Sequence, residues 1–422
     1  MKKTAIVIGI VLMVIVGSIW TIYKVRQQRS YNQYISKSSQ SIISIAIDDL
    51  ILDNLSSIIS HTKSTDTLEK GNSFATNFIF DAGLSVPARI YLFSIPETQG
   101  VFYGILPVNN FDKCFSFFAT HYPEQINFLD KQNVIVSVQL NKHLNVIFNN
   151  DHFIYQIGID EKVGLEPLSS MLTTPENWIQ ISETQDFDNL KTKQHVSYRE
   201  KSKRLHVDAF IKDHKTEING SWQLQQELDK KIYIRELNTL DNSLLFWSVL
   251  PLKETPLLAN VLQKYTGMEK ELLSKNYGNY IDLQIKSDSV IQKDSSITYG
   301  FDDDFNPIEE IEVQQNTVPH IENAWKANKS LQSAIPDKMF YKFHKSDLGE
   351  YFLNTTLNTF PTKISRTETP YPVYCYINFE KLLEQSNLSF LNLFKGRNLN
   401  LEIITEKKDT RTLLIKGELV YQ

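Results

Sequence analysis

The segment from Asp302 to Asn306 is the part of this sequence that comes nearest to a metal-binding motif. Its oxygen-bearing side chains recur at alternate positions, as they do at the start of an EF-hand calcium loop. That loop requires Gly at its sixth position and Glu at its twelfth, where this chain has Pro307 and Val313. The sequence therefore predicts a hairpin turn between two β-rich segments. A calcium site of another type, completed by Glu309 or Glu310, is the alternative interpretation.

Histidine is the next residue type whose spacing could indicate a metal. The 9 histidines are scattered, and neither a His-Glu-x-x-His pair nor a Cys-His cluster occurs. His206 and His214 lie on two β segments that we expect to be adjacent, and a surface pair is the simpler interpretation. The sequence thus predicts no metal site and no bound cofactor.

The potential nucleophiles lack the companions that catalysis needs. Cys114 and Cys375 lie within apolar patterns, which predicts buried, unreactive thiols. A disulfide bridge between them is the alternative in an oxidising compartment. Ser60 and Lys63 have the Ser-x-x-Lys spacing of penicillin-binding enzymes, but the Ser-Asp-Asn and Lys-Thr-Gly elements are absent. With no Gly-x-Ser-x-Gly motif and no phosphate-binding glycine loop, the sequence predicts no catalytic residue.

The N-terminal segment predicts the cellular location of the protein. After Met1-Lys2-Lys3, the run from Thr4 to Tyr23 carries no charge. A helix of that length, at about 1.5 Å per residue, spans about 30 Å, the hydrocarbon thickness of a bilayer. We therefore expect residues 1–30 to form a membrane anchor that contacts the lipid bilayer through residues 4–23. A signal peptide cleaved near Val16-Gly17-Ser18 is the competing interpretation, although its apolar region would be unusually long.

The charge distribution limits the classes of molecule that the rest of the chain is expected to bind. The first 30 residues hold five Lys or Arg and no Asp or Glu, so the remainder has 39 basic and 49 acidic residues. An acidic chain is a poor candidate for nucleic-acid binding, because phosphate contacts need clustered Lys and Arg. The cations on the two flanks of the apolar run are nearly equal in number, so the expected orientation follows from the three-residue N-terminal flank, which has no domain to translocate. We expect this flank inside, with the large C-terminal part exported as a periplasmic or extracytoplasmic domain.

A recurring pattern organises the rest of the sequence. A short β-rich run ends at a polar residue, and apolar residues then return at helical spacing. The polar residue can accept hydrogen bonds from the first free N–H groups of a helix. Six such junctions occur, at Asp48-Asp49, Asn109-Asn110, Asp186, Thr255-Pro256, Ser346-Asp347 and Asn378. Internal duplication with irregular spacing is one interpretation, and the alternative is that these are the ordinary strand-to-helix junctions of an α+β protein.

Between these junctions the sequence predicts antiparallel hairpins and a meander. The clearest are Ala88–Ser94 with Val101–Leu106, the three runs from Val134 to Ile157, and Leu399–Thr405 with Arg411–Val420. The predicted fold class is therefore α+β: an N-terminal transmembrane helix, then antiparallel-sheet-rich domains with helices packed on one face. The predicted divisions are 1–30 (anchor), 31–167 (first domain with a short stalk), 168–325 (second domain) and 326–422 (C-terminal domain).

With this anchor, the repeated junctions and the hairpin from Phe301 to Glu310, the chain resembles uncharacterised single-anchor bacterial envelope proteins that carry repeated α+β domains. The resemblance is one of layout over most of the chain, and it carries over no catalytic residue. We expect a membrane-anchored envelope protein that acts as a non-catalytic binding or scaffold module. An envelope hydrolase with a dispersed active site and a carrier of an apolar ligand are the alternatives, distinguished by the pocket each would need.

Overall fold

Two compact units make up the chain, Met1–Asp213 (unit 1) and His214–Gln422 (unit 2). A computed structural model describes residues 21, 23–53, 78, 81–98, 100–130, 134–158, 164–212, 214–237, 240–301, 307–336, 341–361, 363–385, 396 and 398–421. This two-part division differs from the three domains, 31–167, 168–325 and 326–422, expected from the sequence. Within each unit the described strands pair antiparallel.

Unit 1 combines short helices with eleven strands among its described residues. Its described helices are α1 (residues 23–30), α2 (Ile47–Asp53), α3 (Phe111–His121) and α4 (Glu166–Thr173). Its strands are β1 (Tyr34–Ser36), β2 (Ser41–Ala46), β3 (Arg89–Ser94), β4 (Val101–Pro107), β5 (Ile126–Asp130), β6 (Ile135–Asn141), β7 (Leu144–Phe148), β8 (His152–Gly158), β9 (Trp178–Gln180), β10 (Val196–Glu200) and β11 (Leu205–Lys212).

The sheet of unit 1 has the order β11-β10-β2-β3-β4-β8-β7-β6-β5, and β1 pairs separately with β9. Side chains alternate between its faces, as the pleat requires. Ile147 and Ile154 face a cluster with α4 and the β1–β9 ribbon, whereas Phe148 and Phe153 pack with Phe118 of α3. Both faces of the central strands are therefore covered.

Unit 2 repeats this plan with longer strands. Its described helices are α5 (Pro256–Thr266), α6 (Lys270–Asn276), α7 (Lys329–Ala334) and α8 (Phe379–Gln385). Its strands are β12 (Lys215–Gln223), β13 (Ile232–Arg235), β14 (Asn242–Ser248), β15 (Tyr277–Phe301), β16 (Pro307–Ala327), β17 (His344–Leu348), β18 (Tyr351–Thr355), β19 (Arg366–Thr369), β20 (Val373–Asn378), β21 (Asn400–Lys407) and β22 (Thr412–Val420).

The sheet of unit 2 has the order β12-β22-β21-β20-β14-β15-β16-β18-β17. The ribbon β13–β19 is a separate pair. One sheet face packs on the three helices α5, α6 and α7 around Ile281 and Trp325. The other face carries Tyr280, Trp247 and Tyr351 in a cluster with Ile234 of the ribbon.

Three stretches of the chain share the order of a strand, one or two described helices and two further strands. They begin at β2, β14 and β20, and in each stretch the first strand pairs with the second and the second with the third. Helices do follow the predicted junctions at Asp48, Asn110, Pro256 and Asn378. The side chains of Asn110 and Asn378 accept hydrogen bonds from the Lys113 and Lys381 N–H groups, both at 2.9 Å.

Two predicted junctions are wrong. No helix follows Asp186, and Ser346-Asp347 lies inside strand β17. In β17 and β18 the apolar residues Leu348, Tyr351 and Phe352 are held by strand pairing, which outweighs their helical spacing.

The α+β fold class is corrected to a mainly β fold. Strands hold 47% of the residues and helices 23%, because the helices after the junctions are short while two strands of unit 2 exceed 20 residues. The predicted hairpins and the meander are confirmed by the pairings β3–β4, β6–β7–β8 and β21–β22.

The predicted transmembrane helix is also corrected. Within the described residues, no helix is long and apolar enough to cross a bilayer. This finding contradicts the single-pass anchor and, with it, the placement of the protein in a membrane with its C-terminal part exported. Most of the predicted run, residues 4–20 and 22, lies outside the described residues. Tyr23, expected at a lipid interface, instead donates a hydrogen bond to Asp49 of unit 1 at 2.6 Å.

Candidate functional site

Two cavities of unit 1 are lined by α1. The first, here called the arginine cavity, has a volume of about 380 Å³ and is lined by Arg26, Arg29, Gln33 and His152 among others. The second, the lysine cavity, has a volume of about 560 Å³, and its lining includes three lysines, two aspartates and two tyrosines. Both volumes fall within the range of small-molecule sites, roughly 300–1,000 Å³.

Carboxylates of α2 hold α1 against the unit. The Arg26 guanidinium donates to both oxygens of Asp48, Nε to Oδ2 at 2.8 Å and Nη2 to Oδ1 at 2.9 Å. Asp49 accepts from the Tyr23 hydroxyl and, at 3.2 Å, from Gln27 Nε2. Burial and this hydrogen bond to Asp49 raise the pKa of Tyr23 to about 12. The acidic pair predicted to start a helix therefore also fixes the element that lines both cavities.

Arg89 is buried beneath this contact, with a relative exposure of 1%. Its Nη1 donates to Ser44 Oγ at 3.0 Å, and its Nη2 donates to the carbonyls of Thr192 and Gln194 at 2.9 and 3.0 Å. Its backbone N–H donates to Ser30 Oγ at 3.0 Å. One side chain thus ties strand β3 to strand β2 and to the 192–194 segment, while its backbone ties the end of α1.

Gln33 lines the arginine cavity and is 6% exposed. Its Nε2 donates to the carbonyl oxygens of Ser30 at 2.7 Å and Arg89 at 2.6 Å, which fixes the orientation of the amide. Its Oε1 is buried and has no hydrogen-bond partner among the described residues. A buried acceptor without a donor carries a free-energy cost. The Gln33 amide oxygen is therefore an unpaired hydrogen-bond acceptor, among the described residues, beside the cavity.

An aromatic group forms another part of the cavity wall. The His152 ring lies edge-on to Trp178 at 4.8 Å between centroids, and Tyr34 lies 5.7 Å from the same indole. Burial lowers the pKa of His152 below its ordinary value, against the opposing effect of Asp151, so the imidazole is neutral at pH 7. A neutral imidazole can donate one hydrogen bond and accept another.

The arginine cavity is electropositive. Its described lining contains Arg26 and Arg29 but no carboxylate. The Arg26 charge is balanced by Asp48, whereas the Arg29 guanidinium has no hydrogen-bond or ion-pair partner among the described residues. Val86, Pro87 and other apolar residues supply the rest of the wall. This combination suits a ligand that has one anionic group and an apolar body.

The lysine cavity is closer to charge balance. Asp49 and Asp53 line it together with Lys24, Lys191 and Lys193. Both carboxylates are already engaged, since Asp53 pairs with His195 at 2.9 Å and Asp49 binds α1. The Lys191 ammonium lies 5.1 Å from the centroid of the Tyr31 ring. This cavity therefore offers weaker discrimination between anions and cations than the arginine cavity.

His195 and Asp53, beside the lysine cavity, do not form a catalytic pair. Its Nδ1 accepts the N–H of Ile211 at 3.0 Å, so its Nε2 carries the proton donated to Asp53. With both nitrogens committed and the side chain fully buried, this histidine has no free site for a substrate proton.

Unit 2 contains a separate buried group of charges on the ribbon-facing side of its sheet. Arg235 of β13 donates to both oxygens of Asp282, at 2.6 and 2.8 Å, and both side chains are less than 10% exposed. Asp282 also accepts from the Tyr280 hydroxyl at 2.6 Å and the Ala324 N–H at 3.1 Å. All these donors are internal, so the group fastens the β13–β19 ribbon to the sheet.

Glu322 links this group of charges to His320, since it lies 3.5 Å from Arg235 and 3.3 Å from the His320 ring. Burial alone would raise the pKa of Glu322, but a hydrogen bond from His320 and the charges of Lys286 and Arg235 lower it to about 2. His320 also contacts Asp288 at 2.9 Å, and the two carboxylates raise its pKa. The arrangement is a paired ionic network rather than an acid and a base held apart.

The residues that the sequence singled out do not form a site. Asp302–Asn306 and Ser60–Lys63 lie outside the described residues. The flanking hairpin is nevertheless confirmed, since Phe301 pairs with Pro307. Within the part of the chain that the structure describes, no group of three or more His, Cys, Asp or Glu is placed to hold a metal ion.

Both cysteines are free thiols. Burial raises the pKa of Cys114 to about 12 and that of Cys375 to about 11. We expect neither thiol to react with a maleimide at pH 7.5 in the native protein, because the thiolate is the nucleophile. Mass spectrometry should show two added labels only after unfolding in urea. Rapid labelling of the native chain at Cys114 would contradict this prediction.

The residues of the arginine cavity, and the buried Arg89 that supports α1, were missed by sequence reasoning. Arg89 sits in the otherwise apolar run from Ala88 to Phe93, and a charge inside a buried strand is the signal that could have been used. Arg29 and Gln33 gave no such signal, since Arg29 falls in the segment expected to be the membrane anchor and Gln33 in the polar stretch expected to be a stalk.

No protein-family model, curated protein or solved structure matches this chain.

Proposed function

We propose that this protein is a non-catalytic binding module whose arginine cavity takes a small organic anion. The observation that carries the proposal is the Arg29 guanidinium, which has no anionic partner among the described residues and lines a cavity without a described carboxylate. An arginine presents a planar fork of N–H donors that matches a carboxylate or phosphate. The proposed ligand is therefore an aromatic or aliphatic carboxylate or phosphate monoester.

The other walls support this ligand class. Val86, Pro87 and Ile105 offer apolar contact to the body of the ligand. The neutral imidazole of His152 and the side chains of Asn32 and Ser85 offer hydrogen bonds. A volume of about 380 Å³ lies near the lower end for ligand sites, which favours a compact molecule over a lipid or a peptide.

The lining of the arginine cavity favours an anion-binding module over the two alternative functions, a carrier of an apolar ligand and a hydrolase. A carrier of an apolar ligand would need a largely apolar cavity, whereas this one includes two arginines, a glutamine and an asparagine. A hydrolase would need a nucleophile within reach of a base. His152, the histidine that lines this cavity, has its ring against Trp178, and Cys114 is a buried thiol of raised pKa in the α3 cluster.

The proposal is tested with benzoate and phenyl phosphate as probes and with benzyl alcohol as their neutral counterpart. We expect both anions to raise the melting temperature of the full chain, because a ligand that binds only the folded state stabilises it in proportion to RT ln(1 + [L]/Kd). Benzyl alcohol should have no comparable effect. Arg29→Gln should weaken anion binding, measured by calorimetry, by about 10- to 100-fold, the value of a charge-assisted hydrogen bond.

Arg411→Gln provides the matched control. Arg411 is an exposed arginine of unit 2 that pairs with Glu227 at 3.1 Å, and its loss should leave anion binding unchanged. Equal stabilisation by benzyl alcohol, or unaltered binding by the Arg29 variant, would show that the arginine cavity is not an anion site.

A further inference from the structure

A bulge interrupts the pairing of β15 with β16 where this hairpin extends past its neighbouring strands in unit 2. Residues 286–288 of β15 lie opposite His320 of β16 alone. Among the described strand pairings, Ser289–Phe301 beyond the bulge pairs only with Pro307–Pro319. We call this two-stranded extension the hairpin arm. The contacts that hold the bulge therefore also hold the base of the arm.

His320 occupies the bulge, is 5% exposed and lies between two carboxylates. Its Nδ1 is 2.9 Å from Asp288 Oδ1, and its Nε2 is 3.3 Å from Glu322 Oε1. A neutral imidazole has a single N–H and can donate to only one of these carboxylates, so its other nitrogen would turn a lone pair toward a carboxylate oxygen. Both contacts are favourable at once only when each ring nitrogen carries a proton.

The elements packed around His320 supply charged and uncharged side chains. Among the described residues these are Asp288 and Lys286 of β15, Glu322 of β16, Arg235 of β13, Thr356 of β18 and Gln385 of α8. Lys286 and Arg235 contact Glu322, at 3.2 and 3.5 Å. Glu322 therefore keeps two cationic partners when His320 loses a proton. The Asp288 side chain is 66% exposed, so water can replace its hydrogen bond to the ring.

We propose that His320 is a proton-dependent latch for the base of the hairpin arm. The doubly protonated ring joins Asp288 of the bulge to Glu322 of the opposite strand. When the Nδ1 proton passes to water, the exposed lone pair repels the Asp288 carboxylate, which turns into solvent. The ring keeps its Nε2 proton on Glu322, the less exposed of the two carboxylates.

The release is local, because the backbone of the bulge has other attachments. Gln385 Nε2 donates to the Lys286 carbonyl at 2.5 Å, and the Ser287 N–H donates to the Asp241 carbonyl at 2.7 Å. Opening the latch therefore increases the motion of the bulge and of the first residues of the arm, while the sheet of unit 2 stays folded.

The direction of the pH response follows from the groups around the ring. The hydrogen bond to Glu322 raises the pKa of His320 above its ordinary value of 6.5; burial and the Lys286 charge oppose this effect, and Asp288 adds to it. Because the folded-state pKa is raised, the latch contributes stability that is fully present below pH 6.5 and is lost as the pH rises through the folded-state pKa. The latch is closed in mildly acidic solution and opens at higher pH.

Hydrogen exchange of the full chain, read by mass spectrometry on peptides covering residues 286–293, tests the proposal. After correction for the intrinsic pH dependence of exchange, we expect protection of this segment to fall at least about fivefold between pH 6 and pH 8.5. His320→Gln should abolish this response, because glutamine does not titrate. His206→Gln, at an exposed histidine of unit 1, is the matched control and should preserve the response.

Asp288→Asn distinguishes the latch from a general effect of pH. The asparagine amide can accept a hydrogen bond from a protonated Nδ1 and donate one to a neutral Nδ1. We therefore expect this variant to stay protected at both pH values. Equal corrected protection of the wild type at pH 6 and pH 8.5, or an undiminished pH response in His320→Gln, would overturn the proposal.

Nitrogen NMR of the histidine rings in the wild-type chain provides a test that needs no folded variant at position 320. The His320 ring should be doubly protonated at pH 6 and should carry its remaining proton on Nε2 after titration. A His320 ring that is already neutral at pH 6, or whose remaining proton lies on Nδ1, would contradict the latch.

Discussion

Replacing Asp282 with Ala is expected to lower the free energy of unfolding by about 3–5 kcal/mol, the usual consequence of breaking a buried ion pair. Asp282 is fully buried and accepts hydrogen bonds from Arg235, from Tyr280 and from the backbone of Ala324. Its loss leaves the Arg235 charge buried, and Glu322, at 3.5 Å, is then its remaining carboxylate partner among the described residues. Urea unfolding followed by tryptophan fluorescence measures the change.

An exposed ion pair of similar length serves as the control. Asp188 and Lys203 are 2.8 Å apart, but both side chains are about half exposed, so Asp188→Ala should cost less than about 1 kcal/mol. The joint change Arg235→Met with Asp282→Leu should recover part of the stability, because no charge is then left buried. A loss below 1 kcal/mol for Asp282→Ala alone would show that this pair does not fasten the ribbon.

The second large effect is expected at Arg89 in unit 1. Arg89→Ala removes the donors to Ser44 Oγ, which is buried, and to the carbonyls of Thr192 and Gln194, which are partly buried. Since unsatisfied buried acceptors cost about 1–3 kcal/mol each before relaxation, we expect a total loss of about 3 kcal/mol. We expect α1 to loosen as well, because Arg89 Nη2 also lies 3.7 Å from Oδ2 of Asp49, the carboxylate that accepts hydrogen bonds from Tyr23 and Gln27 of α1.

Limited trypsin digestion detects the loosening of α1 separately from global unfolding. Cleavage after Lys24, Arg26 and Arg29 should accelerate in the Arg89 variant under conditions where the rest of the chain stays intact. Arg411→Ala, at an exposed arginine, should change neither stability nor cleavage. If α1 stays resistant in a destabilised Arg89 variant, its position depends on Asp48 and Asp49 rather than on this buried arginine.

Local patterns predicted the hairpins because turn residues and alternation act over a few positions. Asn149 is an example, since its side chain accepts the N–H groups of Asp151 and His152 and closes the turn between β7 and β8. Helix length was harder to predict. At β17 and β18 the spacing of Leu348, Tyr351 and Phe352 fits a helix, yet pairing with β16 and between the two strands decides the outcome.

The candidate site was largely invisible for a different reason. His152 lies more than 100 positions after Arg29 and Gln33, and only the fold brings the three residues to one cavity. Their residue types are common on surfaces, so no motif distinguishes them. Asp48 and Asp49 were noticed, but as helix-starting residues, because their contacts with Arg26 and Tyr23 are long-range.

The pairing of β12 with β22 has a consequence for the biosynthesis of unit 2. Lys215 is opposite Val420, and Gln223 is opposite Thr412, so the earliest strand of the unit completes its pairing with the latest one. Contacts of such high sequence separation form slowly, because the entropy of closing the intervening loop must be overcome first. During translation β12 must therefore wait, with an open edge, until residues 412–420 have left the ribosome. Chaperone protection of the unpaired β12 edge therefore matters most while unit 2 is still being synthesised.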